Sequence, residues 1–141
     1  MLRTKVGRRV GVGIAGLALL AALAAPAALG HRSAAPAPMI GTKPATKAQI
    51  AAGKAAFSTT CAACHTLKAA GALGNIGPNL DKVAGALSEA ILIKAITKGG
   101  SSVMTKAAIA KYTTMMVPYG GTLSATQINE IAAFIYSVTR K

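Results

Sequence analysis

Cys61-Ala62-Ala63-Cys64-His65 sets two thiols three positions apart and puts an imidazole directly after the second. The fold must present these three side chains to one group from a single turn of backbone. A structural zinc ion takes four Cys, His or carboxylate ligands. This chain has only two cysteines and two histidines, and His31 lies far off in a Pro/Ala-rich stretch. A thioredoxin-like pair belongs in a βαβ context, and no strand pattern surrounds this one. An ordinary disulfide would leave His65 without a role. The spacing matches covalent haem attachment. Each thiolate adds to one vinyl group, so both sulfurs lie along one porphyrin edge while the histidine aims its imidazole at the iron. Cys61 and Cys64 are therefore candidate anchors, and His65 is a candidate axial ligand.

At 141 residues, one domain is expected. Trp is absent and aromatic residues make up 4% of the chain, too few to fill a large core. Small domains need a staple, and a covalent haem would supply the missing apolar bulk. Residues 1–30 read as an export segment. Arg3, Lys5, Arg8 and Arg9 precede an uncharged run, Val10 to Leu29, with Leu17, Leu19, Leu20 and Leu23 at its heart. Small residues around Ala22 to Ala27 offer cleavage sites. The run is also long enough to span a bilayer, so residues 1–30 are a signal peptide or an N-terminal membrane anchor. The positive flank keeps the N-terminus inside and sends the rest outside. Residues 31–45, with Pro36, Pro38 and Pro44, read as a semi-extended, poorly ordered Pro/Ala-rich linker.

Helical signals fill residues 46–141. Thr46 and Gln49 have capping-box spacing, and Ile50, Gly53 and Phe57 follow at helical intervals up to Cys61. Ser88 is an N-cap ahead of Ile91, Leu92, Ala95 and Ile96, and Gly99-Gly100 ends that helix. Ser124 with Gln127 opens a last helix. Ile128, Ile131, Ala132 and Ile135 share its face, with Phe134 and Val138 alongside, and Arg140 and Lys141 suit the negative end of its dipole. A short helix is expected between Ser101 and Thr114. Sustained alternation is absent, so the expected fold is all-α.

Four matches in order carry a family resemblance. Gly53-Lys54-Ala55-Ala56-Phe57 leads into Cys61, Cys64 and His65. Gly77-Pro78-Asn79-Leu80 follows. Met116 precedes Tyr119-Gly120-Gly121, and Leu123-Ser124 opens a helix bearing Phe134. Residues 53–138 resemble a class I (monohaem) c-type cytochrome. The resemblance implies three to five helices wrapped around one covalent haem c, behind the N-terminal hydrophobic segment. It makes Cys61 and Cys64 the thioether anchors and His65 the proximal ligand. It gives the Pro78 carbonyl the task of accepting the histidine's other N–H. Gly53 and Phe57 would meet Phe134 where the first and last helices cross.

The resemblance also implies a methionine as sixth ligand, a soft donor that favours ferrous iron and raises the potential. Met115 and Met116 are adjacent. The family usually has proline directly after the ligand, whereas here Val117 intervenes before Pro118. Counting back from Tyr119-Gly120 selects Met116, with Met115 as the alternative.

Setting aside the first 30 residues leaves 12 basic and 3 acidic residues (Asp81, Glu89 and Glu130). A positive face would steer docking to redox proteins with acidic surfaces. Nucleic acid is not an expected partner, because no aromatic-basic stacking pattern accompanies the lysines and the chain is read as exported. Membrane contact is expected only through the N-terminal anchor. The three carboxylates and two histidines offer no acid–base constellation, so the expectation is an electron carrier rather than an enzyme. It would work in the periplasm or on the outer face of the cytoplasmic membrane. The alternative is a haem-bearing subunit of a larger periplasmic dehydrogenase or oxidase.

Overall fold

The computed structural model describes residues 37–140. The export or anchor segment, the first part of the linker and Lys141 lie outside the described residues. No helix among the described residues is long and apolar enough to cross a membrane.

The described chain starts with a hairpin of β1 (Met39–Ile40) and β2 (Lys43–Pro44), in which Met39 faces Pro44 and Ile40 faces Lys43. Gly41 has φ 63°, the sign that the tight hairpin turns require at their first central position. The stretch read as poorly ordered linker therefore ends in paired structure. Pro44 is tolerated because a two-stranded ladder consists only of edges, where a missing N–H costs little. The Met39 N–H donates to Glu89 Oε2 at 2.7 Å, and β1 packs on the C-terminal helix.

Helix α1 (Lys47–Thr60) starts at Thr46, whose side chain accepts the Gln49 N–H while the Gln49 side chain accepts the Thr46 N–H. A turn then leads to β3 (Thr66–Leu67), which pairs with β4 (Ala72–Leu73). Helices α2 (Leu80–Val83), α3 (Glu89–Lys98), α4 (Lys106–Ile109) and α5 (Ala125–Thr139) follow. Ser88, Thr105 and Ser124 cap α3, α4 and α5 with their hydroxyls. The all-α expectation needs one correction, the two small ladders. Two residues per strand are too few to show a period in sequence.

The most extensive helix contact is between α1 and α5. Phe57 and Phe134 meet edge to face there, with centroids 6.0 Å apart and planes at 63°, an arrangement that adds about 1 kcal/mol beyond burial. Ile131, Ala132, Ile135, Leu92 and Ile96 extend this core. Ile91 of α3 is partly exposed, at 38%. Arg140 does not simply face the dipole of α5. Its guanidinium lies 4.4 Å from the Tyr136 ring centre and donates to the Leu87 carbonyl, tying the turn before α3 to the last helix.

Candidate functional site

Cys61 caps α1, and the helical turn carries on through the motif. The Cys61 N–H donates to the Phe57 carbonyl at 2.8 Å, and the Cys61 carbonyl accepts from both Cys64 and His65. Residues three apart on a helical turn share a face, so Cys61 and Cys64 face one way. The backbone behind them is crowded. A Cβ at Gly74 would stand 2.6 Å from the carbonyl oxygens of Ala62 and Ala63. The Gly77 N–H donates to the Cys64 carbonyl at 2.8 Å.

His65 is buried, and its Nδ1 lies 2.9 Å from the Pro78 carbonyl oxygen. A carbonyl can only accept, so Nδ1 carries the proton. In the neutral ring, the lone pair is then on Nε2, the form a metal needs. A Cβ on Gly77 would come within 2.6 Å of His65 Cε1, so the glycine leaves room for the ring. Behind it, Asp81 Oδ2 accepts the Lys68 N–H at 2.9 Å, which fastens the loop after the motif to α2.

Burial first, and then the neighbouring Cys64, push the Cys61 thiol up to about 11. Redox-active dithiols need a thiol pulled down, and burial works the other way on Cys61. Among the described residues, no three His, Cys, Asp or Glu side chains gather where they could hold a metal ion. Burial first, and then the nearby Cys61 and Cys64, push the Tyr119 phenol up. Met116 and Tyr119 both pack against the buried cluster that contains Cys61, Leu67 and Leu80. Met115 is half-buried and is not part of that packing.

The donor set fits a haem: two thiols on one face of a turn, an oriented imidazole with a free Nε2, and an apolar surround. Asn79 Oδ1 adds a buried polar atom with no partner beside Pro78. Sequence reasoning missed Gly74 and the unpartnered Asn79 Oδ1. Glycines at 74 and 77, so close behind the motif, were the available sign of close approach.

Fold and site together define a small helical domain with the donor set of a covalently held haem. The family model for cytochrome c matches residues 50–139. The chain belongs to the cytochrome c family, as a monohaem, class I-like member. The fold is similar to that of a cytochrome c from Rhodothermus marinus, at 23% identity and a TM-score of 0.55, over 74% of this chain and 90% of that one. A second solved structure, the c-type cytochrome SorU from Sinorhizobium meliloti, matches at 24% identity with a TM-score of 0.49, over 67% of this chain and 97% of that one. No curated protein matches. The family implies one haem c and haem-based electron transfer, the work of a carrier rather than an enzyme.

Proposed function

We propose that this protein shuttles single electrons between redox partners outside the cytoplasmic membrane, with the iron of its haem held between His65 and Met116. The observation that carries the reading is the 2.9 Å bond from His65 Nδ1 to the Pro78 carbonyl. It fixes the ring and raises the basicity of Nε2. When bound, the haem supplies a one-electron couple. The chain's own residues set its conditions. Phe57, Leu67 and Ile131 are fully buried and keep water away. A thioether from Met116 favours the reduced state. The Met116 carbonyl accepts the Gly100 N–H at 3.1 Å, so the ligand's backbone is held in place.

The charge pattern supports acidic partners. From Ala90 to Asn129 the chain has four lysines (Lys94, Lys98, Lys106 and Lys111), all exposed, and no carboxylate. Such a surface speeds encounter with a negative face and loses that advantage as salt rises. The uncharged run from Val10 to Leu29 supports export.

Absorption spectra of the purified protein test this reading. The haem should survive acid-acetone extraction, and the ferric protein should show the weak red band of methionine ligation. Met116→Leu should abolish that band and Met115→Leu should leave it. Ready binding of carbon monoxide by the unaltered ferrous protein would sink the carrier reading. Recovery of the protein in the cytoplasmic fraction would sink the location.

A further inference from the structure

Three methionines converge on one glycine. A Cβ placed on Gly100 would stand 3.2 Å from Met116 Cβ, 3.8 Å from Met104 Sδ and 3.8 Å from Met115 Cε. Met104 and Met115 reach this point with the ends of their side chains. Thioether chains are flexible and can be placed in many ways. Met116 arrives with its root.

That root is held from both sides of a glycine pair. The Gly100 N–H donates to the Met116 carbonyl at 3.1 Å. Gly99, at φ 86° and ψ 160°, occupies a region almost closed to other residues. A Cβ there would stand 2.8 Å from the same carbonyl oxygen and 3.3 Å from the Pro118 nitrogen. The segment then runs along the end of α3. Tyr119 N–H donates to the Ile96 carbonyl at 2.9 Å, and Gly120 N–H to the Thr97 carbonyl at 3.1 Å. The last carbonyls of a helix have no partner within it, so Tyr119 and Gly120, just after Met116, serve as the C-terminal cap of α3. Helix end and methionine segment therefore fix each other.

We propose that Gly99-Gly100 is a seat that selects Met116, over Met115 and Met104, as the axial thioether of the iron. The inference rests on the His65/Met116 reading above. Holding the carbonyl and Cβ of residue 116 fixes where its side chain leaves the backbone, whereas the other two thioethers have no such hold. Gly99 and Gly100 are positioning residues, acting through Met116.

Carbon monoxide binding by the ferrous protein reads the seat directly, since the gas must wait for methionine to leave. Its apparent affinity scales with the fraction of open iron. Gly100→Ala, whose backbone angles suit alanine, should tighten apparent binding by about tenfold, the equivalent of one hydrogen bond. It should also weaken the ferric red band. Gly121→Ala is the control, because a Cβ there meets nothing within 4 Å. If Gly100→Ala matches this control in both readouts while Met116→Leu abolishes the band, the seat fails and the ligand reading stands. If the band survives Met116→Leu, the ligand reading itself fails. Should Gly100→Ala not fold by circular dichroism, the unaltered protein decides. Its Gly100 amide should exchange about tenfold more slowly than that of exposed Gly121, and equal rates would overturn the seat.

Discussion

Gly53 of α1 lies directly on the backbone of Glu130 in α5. A Cβ at residue 53 would overlap the Glu130 carbonyl oxygen, and it would stand 2.5 Å from the carbonyl carbon and 3.0 Å from Phe134 Cβ. This contact sets how closely the first and last helices cross, and hence where Cys61 sits relative to the core. Gly53→Ala gains about 1 kcal/mol of helix propensity but forces apart two backbones. Overpacking of this kind costs about 1–3 kcal/mol, more where backbone must move. The expected net effect is a lower unfolding midpoint in denaturant, with the haem still attached. An unchanged midpoint would mean that the crossing relaxes freely.

One helical turn on, Phe57 is fully buried and Phe134 nearly so. Phe134→Ala removes both the apolar contact and the edge-to-face pair, and should cost about 3–5 kcal/mol. Phe134→Leu keeps most of the volume and should cost less than half as much. Guanidinium titrations of both variants would order them.

Gly77→Ala tests the support of His65. The added methyl would stand 2.6 Å from Cε1 and 2.9 Å from Nδ1, on the side of the ring that donates to Pro78. Crowding should weaken that bond and make Nε2 less basic. A less basic imidazole stabilises ferric iron less, so the reduction potential should rise. The fold should lose about 1–3 kcal/mol. Voltammetry of the variant against the unaltered protein gives the sign, and a fall in potential would contradict the argument.

Glu89 carries the pH dependence that is most clearly assigned. Burial pushes its carboxyl above the ordinary 4.5, and the opposing effect of the Met39 N–H is smaller. Oε1 is buried without a partner. A carboxyl raised in the folded state binds its proton more tightly there than in the unfolded chain. Its contribution to stability is therefore fully present below 4.5 and is lost as pH rises through the folded value. Glu89→Gln, which keeps an acceptor for Met39, should lose this dependence. Melting curves should show the variant gaining on the unaltered protein toward neutral pH, with the gap closing in mild acid. A gap that widens in acid would reverse the assignment.

Much of the secondary structure was legible because its determinants are local. Thr46 with Gln49 and Ser124 with Gln127 form their capping boxes within three residues, whatever the rest of the chain does. Helix α2 and the two ladders were not legible, since four residues or two pairs leave no periodic trace. Met39–Ile40 pairs with Lys43–Pro44 in a composition that reads as linker. There, docking against α5 and Glu89 overrides the local preference. Ile91 shows the reverse case. Its apolar side chain suits a core, but its position on α3 leaves it 38% exposed.

By itself, the sequence spaced Cys61, Cys64 and His65 as covalent haem attachment requires, because anchoring one edge of a porphyrin is a matter of spacing within a single turn. It also ordered the segments that must come together. Only the tertiary structure decided how closely they meet. It brings Pro78 within 2.9 Å of His65 across thirteen residues, fits Gly53 against Glu130 across seventy-seven, and lays Met116 on the Gly99-Gly100 end of α3. Hydrogen bonds and close approaches between distant segments depend on which faces pack together. That choice is made by the whole core, and no local pattern encodes it.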